Sequence, residues 1–375
     1  MTAIELTCPA CDAPIAADET FCEACGVQLQ GSPPLAAPNA TAPPTSPAAS
    51  PRTVSIDDTA PIPRTIVASP DCAQCGGNML DDGFCGTCGQ KARSPRDHWT
   101  EQPAAWVAGV CDKGISHAAN EDAMALSATA DGSFAVLVVC DGVTSAPNSD
   151  RAALAASVAA CGQLTSMSSS SPESVAAAVS YWTDALVLAC ADANGAAVGV
   201  AHTLGDPSEP PSCTFVAAVV AGSLITVAWC GDSRAYWFPD GGDPRQLTID
   251  HSLGTEMMAA GRSRAEAESD PAFHTITRWL GADSVDHTPE VASQSIESPG
   301  WLLVCSDGLW NYASALEEMA TQLSTVQTTA GPDPLPMCAA LVDWANTAGG
   351  HDNITAALAR CDPSLRLERE RTSRG

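Results

Sequence analysis

The segment FAVLVVCDG, residues 134–142, decides the fold of this chain. Its first seven residues are apolar and predict a buried strand over 134–140, after which Asp141 and Gly142 follow directly. An ionised carboxylate at the rim of such a strand is costly unless water or a cation meets it. Similar acidic motifs recur along the chain, so the strand ends indicate both the fold and a site.

Other apolar runs predict a mostly antiparallel architecture. Strands are expected at 106–111, 134–140, 213–221, 224–230, 235–238, 301–305 and 355–360, and helices at 150–164, 172–194, 316–327 and 336–348. The short turn Gly222-Ser223 between two strands implies an antiparallel hairpin. We therefore expect an α+β fold rather than a doubly wound parallel sheet.

The composition describes a globular chain with a strongly acidic surface. The 375 residues are 45 % hydrophobic and carry a net charge of -27. Such a surface repels phosphate backbones and anionic membranes, so neither nucleic acid nor a membrane is an expected partner. The first residues lack the basic start and the apolar run of a secretory signal. No apolar run reaches the roughly 18 to 20 residues that cross a bilayer. We therefore expect a cytoplasmic protein.

Eight of the 17 cysteines form two sets of paired CxxC motifs. Two pairs at this spacing can complete a tetrahedral four-cysteine zinc site and are similar to small zinc ribbons, whereas a redox CxxC is the alternative interpretation. The zinc would fold segments too short to bury a core. The candidate zinc ligands are Cys8, Cys11, Cys22 and Cys25 in the first set and Cys72, Cys75, Cys85 and Cys88 in the second.

Composition shifts divide the chain into five segments. We expect a first zinc ribbon at 1–30, a Pro/Ala-rich disordered linker with ten prolines at 31–70, a second ribbon at 71–95, a main domain at 96–362 and a charged tail at 363–375. Thr53 in the linker is a candidate phosphorylation site for a phosphothreonine-binding partner, and ordinary linker filler is the alternative.

Five acidic motifs stand at the ends of apolar strands: NED at 120–122, CDG at 140–142, CGDSR at 230–234, CSDG at 305–308 and HDN at 351–353. One Asp-Gly alone is usually a turn with a solvated carboxylate. Five converging carboxylates would repel one another strongly without metal. Hard oxygen ligands in this number favour magnesium or manganese over zinc.

The order of these motifs resembles that of the metal-dependent protein serine/threonine phosphatases of type 2C. The resemblance covers about residues 104–360 and includes SCTF, GDSRAY, LTIDHS, TRWLG, CSDGLW and HDNIT. It implies two antiparallel β-sheets packed as a sandwich, flanked by α-helices, with a binuclear centre at one edge. It also implies that a metal-activated water hydrolyses phosphoserine and phosphothreonine on proteins, with a serine/threonine kinase or its substrates as partners.

Carried over position by position, the resemblance assigns a role to each acidic motif. Asp122 would orient a metal-bound water, and Asp232 would hold a looser third ion. The ligands of the two Mg²⁺ or Mn²⁺ ions would be Glu121, Asp141, the carbonyl of Gly142, Asp307 and Asp352.

The sequence departs from the family pattern at three places. His117 stands where many members grip phosphate with Arg; a protonated imidazole can also donate to phosphate, and an inert surface histidine is the alternative. Residues 143–146, VTSA, lack a histidine proposed as general acid, and Asn311 should weaken the third-ion site. A catalytically weak phosphoprotein-binding scaffold or regulator with zinc-ribbon docking therefore stays open as a second hypothesis.

Overall fold

The computed structural model describes residues 6–7, 14–15, 75–78, 80, 84–89, 94–169, 172 and 174–363. The chain divides into two units, Met1–Ile62 and Pro63–Gly375. In the first unit, strands β1 (Leu6–Thr7) and β2 (Pro14–Ile15) pair antiparallel. The predicted ligands of the first zinc ribbon, the linker with Thr53, Cys72 and the tail after 363 lie outside the described residues, and the predicted segment boundaries stay predictions.

The second unit is built around two antiparallel sheets. Its strands in chain order are β3 (His98–Ala104), β4 (Val107–Asp112), β5 (Ala123–Ala128), β6 (Phe134–Cys140), β7 (Ser212–Cys213), β8 (Phe215–Ala221), β9 (Leu224–Cys230), β10 (Arg234–Pro239), β11 (Arg245–Gln246), β12 (Leu280–Gly281), β13 (Glu290–Ser295), β14 (Gly300–Cys305) and β15 (Ile354–Cys361). One sheet has six strands in the order β11-β10-β14-β15-β4-β3, and the other has five in the order β13-β9-β8-β6-β5. Strands β7 and β12 form a separate pair.

The two sheets pack face to face, and β6 shows why residues 134–140 are apolar throughout. Val139 of β6 packs with Val304 of β14 in the cluster between the sheets. Val138, on the opposite face, packs in the cluster that includes α1 and α2 residues. Since successive side chains of a strand point to opposite faces, a strand buried on both sides must be apolar at every position. The predicted sandwich is confirmed.

Helices cover the outer faces of both sheets. They are α1 (Ser149–Ser166), α2 (Val175–Thr203), α3 (Leu253–Ala259), α4 (Arg264–Glu268), α5 (Asp307–Trp310), α6 (Leu316–Ala330) and α7 (Pro334–Ala348). Helices α1 and α2 pack on the five-stranded sheet, whereas α7 packs on β4 and β15 with α6 beside it. The α2 helix begins after Ser174, whose side chain accepts the N–H of Ala177 and so satisfies one open donor of the first turn.

The structure differs from the sequence prediction at several elements. The strand predicted over 213–221 is two strands, because Thr214 leaves the ladder to bond Asp141. The α2 helix continues through Gly195 and Gly199 to Thr203, and by length and composition it could span a membrane, with a mean hydropathy of 1.4. In the structure 44 % of that window is buried, and its inner face belongs to the core beside β9 and β13. In the second unit, the strands β3, β5, β11, β12 and β13 and the short helices α3, α4 and α5 were not predicted.

Candidate metal centre

Carboxylates from both sheets meet where their strands end. Asp141 follows β6, Asp232 lies between β9 and β10, Asp307 opens α5 after β14, and Asp352 precedes β15. Burial raises the pKa of Asp141 well above its ordinary value, and the negative charges of Asp122, Asp307, Asp352 and Asp232 raise it further. The predicted convergence of these acidic groups is therefore a property of the fold.

The backbone of Asp141 is clamped by Thr214. The hydroxyl of Thr214 accepts the N–H of Asp141 at 3.0 Å, and the N–H of Thr214 donates to the Asp141 carbonyl at 2.7 Å. The next residue is Gly142, where an added Cβ would lie 2.7 Å from the carbonyl oxygen of Glu121. Glycine at 142 therefore permits the close approach of the two acidic loops.

Asp122 is completely buried and held by two hydroxyl groups. Ser306 Oγ, after β14, and Thr355 Oγ1, in β15, each donate to its Oδ2 at 2.6 Å. Burial raises the pKa of Asp122 to about 6, although both hydrogen bonds favour the ionised form. The two donors fix one oxygen of this carboxylate and thereby the direction of the other.

Two carboxylate oxygens at the centre lack a donor. In the part of the chain that the structure describes, Oδ1 of Asp122 and Oδ1 of Asp307 are buried without a hydrogen-bond partner. The Asp141 side chain lies within hydrogen-bonding reach of both carboxyl groups. Burial, followed by the charges of Asp352, Asp232 and Asp122, raises the pKa of Asp307 well above its ordinary value. Crowded carboxylates without donors fit divalent cations of the hard, oxygen-binding kind.

Asp232 is buried at the side of this cluster. Burial and the charge of Asp250 raise its pKa to about 7, while Arg234 acts in the opposite direction. Its carbonyl oxygen accepts the indole N–H of Trp310 at 3.0 Å, and Arg234 stacks 3.5 Å above the Trp310 ring. Arg234 itself is paired with buried Asp250 at 2.7 Å, so packing fixes the position of Asp232.

Glu121 and His117 lie beside the buried carboxylates. Burial raises the pKa of Glu121, against a hydrogen bond from Thr144 and the charge of His117. His117 Nε2 lies 3.3 Å from Oδ1 of Asp352, so this imidazole faces the acidic cluster. The Asn353 side chain accepts the N–H of Glu121 at 2.7 Å and ties the HDN motif to the NED motif.

Three of the cysteines predicted for the second zinc ribbon also come together. Cys75 Sγ lies 3.5 Å from Cys85 Sγ and 3.3 Å from Cys88 Sγ. Backbone N–H groups of Cys88 and Thr87 lower the pKa of Cys85 to about 6. Within the described ranges this is the only group of three Cys, His, Asp or Glu ligand atoms that all lie within 4.8 Å of one another. The ligand oxygens of the carboxylates are thus spread more widely than the three sulfurs.

Sequence reasoning missed the residues that hold the acidic groups. Ser306 and Thr355 lie inside the motifs CSDGLW and HDNIT, but spacing alone does not show that both hydroxyls reach Asp122. Asn353 and Thr214 likewise bond the acidic loops through side chains from distant segments. Arg96, just before β3, also contacts the NED motif and carried no signal of its own.

The fold and the site define a class of protein: an α+β sandwich with a centre of crowded carboxylates at its strand ends. The family model described as Protein phosphatase 2C matches residues 115–346. The chain belongs to the protein phosphatase 2C family.

Individual relatives agree with this assignment. The chain is 36 % identical over 155 residues to the serine/threonine phosphatase stp of Listeria monocytogenes, an alignment that covers 40 % of this chain and 56 % of that protein. The chain thus spans about half the length of the curated relatives it matches.

Solved structures share the fold over a longer stretch. The Mycobacterium tuberculosis serine/threonine phosphatase PstP/Ppp superposes with a TM-score of 0.55 at 25 % identity, covering 68 % of this chain and 98 % of that one. A PstP catalytic domain in complex with two manganese ions gives a TM-score of 0.52 at 24 % identity over 68 % of this chain and 98 % of its own, which shows a shared fold.

Proposed function

We propose that this chain is a protein serine/threonine phosphatase that hydrolyses phosphoserine and phosphothreonine with divalent cations. One observation carries the proposal: Asp141 lies within reach of two buried carboxyl groups, Asp122 and Asp307, each with an oxygen that meets no donor among the described residues. Family membership and the names of the relatives support the substrate class.

The centre would hold two Mn²⁺ or Mg²⁺ ions, with a weaker third. Glu121, Asp141, the Gly142 carbonyl, Asp307 and Asp352 are the proposed ligands, and Asp232 is proposed for the third ion. Manganese in the PstP catalytic domain and the hard oxygen donors of this chain support that choice. When bound, such cations neutralise phosphate charge and lower the pKa of a coordinated water.

The remaining site residues orient the reactants. Asp122, held by Ser306 and Thr355, offers a fixed acceptor for a water proton. We propose that His117 replaces the phosphate-gripping arginine of many relatives. Its Nε2 lies 3.3 Å from Oδ1 of Asp352 and so faces the acidic cluster, which supports a role in donating to a phosphate oxygen. Hydrolysis forms a bond from the water oxygen to phosphorus, and the seryl or threonyl oxygen leaves and takes up a proton.

We also propose that zinc binds Cys72, Cys75, Cys85 and Cys88, and that Cys8, Cys11, Cys22 and Cys25 form a second such site. Two observations support the site that includes Cys75. The Sγ atoms of Cys85 and Cys88 lie within 3.5 Å of Cys75 Sγ, and the pKa of Cys85 is lowered. Metal analysis of the purified chain should find two equivalents of zinc, and finding no zinc would contradict the proposed zinc sites.

We further propose that the ribbons and the linker dock other proteins in the cytoplasm. These partners would be a kinase, its substrates or, through phosphorylated Thr53, a phosphothreonine-binding protein.

Phosphopeptide assays on the full chain separate this function from the scaffold alternative. The manganese-loaded protein should release phosphate from a phosphothreonine peptide, and EDTA should abolish the release. Tight peptide binding without phosphate release would instead favour the catalytically weak scaffold, for which His117 and the missing histidine at 143–146 are the arguments.

A further inference from the structure

Arg96 lies two residues before β3 and reaches the loop that carries Glu121 and Asp122. Its Nη2 donates to the carbonyl oxygen of Asp122 at 2.9 Å and to that of Asn120 at 3.3 Å. In return, Nδ2 of Asn120 donates to the Arg96 carbonyl at 2.9 Å. One guanidinium nitrogen therefore holds the carbonyls on both sides of Glu121.

The guanidinium of Arg96 is confined by its surroundings. It lies 5.3 Å from the centre of the Trp99 ring, within the range of a cation–π contact. Its Nε and Nη1 are buried and meet no acceptor among the described residues, so its hydrogen bonding is directed to the two carbonyls of the acidic loop. The backbone next to Arg96 is held as well, because the N–H of Lys113 donates to the carbonyl of Asp97 at 2.8 Å.

The acidic loop is consequently fixed from two directions. Asn353 accepts the N–H of Glu121 at 2.7 Å, and Arg96 binds the carbonyl before Glu121 and the one after it. Removing the guanidinium would leave two carbonyls beside crowded carboxylates without their donor. The backbone on both sides of Glu121 would then be held less firmly, and with it the direction of the Glu121 carboxylate and the position of Asp122.

We propose that Arg96 is a positioning residue for the divalent-cation centre, preorganising Glu121 and Asp122 before the cations bind. The inference rests on the proposed function, since that function makes these two residues part of the centre. Arg96 lies outside residues 115–346 that the family model matches. Mutation of a residue that hydrogen-bonds to metal ligands and orients them typically lowers metal affinity or activity by about 10- to 100-fold.

Calorimetric titration of the metal-stripped full chain with Mn²⁺ tests the proposal. Arg96→Ala should weaken Mn²⁺ binding by about 10- to 100-fold, and Arg96→Lys should recover part of the loss. Arg262→Ala is the matched control, because Arg262 forms an exposed ion pair with Asp270 at 2.8 Å. At saturating Mn²⁺, phosphate release by Arg96→Ala should return to within about threefold of the original protein, a split that general unfolding would not produce.

The outcomes separate this proposal from the function on which it rests. Unchanged Mn²⁺ affinity in folded Arg96→Ala overturns it, and so does an equal loss in Arg262→Ala. If Arg96→Ala does not fold, Arg96→Gln decides by the same comparison. An original chain that binds Mn²⁺ but releases no phosphate contradicts the proposed function, while the affinity comparison still decides the role of Arg96.

Discussion

The side-chain amide of Asn311 donates from Nδ2 to Oδ2 of Asp307 across 3.1 Å. The donor covers one oxygen of Asp307, and within the described residues Oδ1 meets none. A carboxylate at position 311 would lack this donor and add a negative charge beside Asp307. We therefore expect the residue at 311 to influence how many cations bind on the Asp307 side of the proposed centre.

Asn311→Asp should increase the number of Mn²⁺ ions that bind. The added carboxylate supplies another oxygen ligand close to Asp307. It should destabilise the metal-free protein by about 1 to 3 kcal/mol, because a hydrogen bond to the Asp307 carboxylate is lost. Titration should find an additional weak equivalent of Mn²⁺ in this variant but not in Asn311→Ala. Equal stoichiometry in both variants would show that position 311 does not limit the third ion.

The hydroxyl of Thr355 should contribute to stability through Asp122. Thr355→Val keeps the shape and removes a 2.6 Å donor to a buried carboxylate, so the free energy of unfolding should fall by about 1 to 3 kcal/mol. Thr355→Ser retains the donor and should lose less than Thr355→Val. Urea unfolding of both variants without metal makes the comparison, and equal losses would mean that the hydroxyl is unimportant.

The metal-free protein should become less stable as pH rises from 5 to 8. Burial raises the pKa of Asp122 to about 6 and that of Asp232 to about 7 in the folded chain. Above about pH 4 the folded state therefore keeps protons that the unfolded chain has lost, and these protons stabilise the folded state. This contribution to the free energy of unfolding is lost as pH rises through 6 and 7.

Denaturant unfolding of EDTA-treated protein checks this pH dependence. The free energy of unfolding should be lower at pH 8 than at pH 5, by on the order of 1 kcal/mol or more. Asp232→Asn should reduce the difference, and Mn²⁺ should stabilise most at the higher pH, where the carboxylates are ionised. Stability that rises with pH in the metal-free protein would contradict the crowding of these groups.

His117 should act on the phosphate rather than on the fold. His117→Ala should lower kcat/KM for a phosphothreonine peptide by about tenfold, equivalent to about 1.4 kcal/mol of lost transition-state binding, whereas His117→Arg should preserve it. Steady-state kinetics with saturating Mn²⁺ and thermal unfolding of each variant make the test. Equal kcat/KM in the Ala variant would support the inert surface histidine.

The sequence predicted the buried strands and the acidic groups at their ends. Residues 134–140 are apolar throughout and 224–230 are apolar except for Thr226; the structure has buried strands over these same ranges. The edge strands β3 and β13 escaped prediction because edge positions leave many side chains exposed, and their sequences, HWTEQPA and EVASQS, show no continuous apolar run.

The groups that hold the acidic side chains could not be predicted in the same way. Arg96 and Asn120 are 24 residues apart, and Thr355 and Asp122 are 233 residues apart, so only the folded chain brings each pair together. The α2 helix was expected to end at residue 194, but it runs on through Gly195 and Gly199, although glycine weakens helices. It continues because its inner face is buried between α1 and the sheet.

Phosphate release by Asp141→Asn tests the central claim most directly, with Asp343→Asn as the control because Asp343 is exposed on α7. With a phosphothreonine peptide and saturating Mn²⁺, the original chain and Asp343→Asn should turn over equally. Asp141→Asn should lose at least about a hundredfold in kcat and also bind Mn²⁺ more weakly. Full turnover by Asp141→Asn, or turnover by the original chain in excess EDTA, would contradict catalysis by cations held at the converging strand ends.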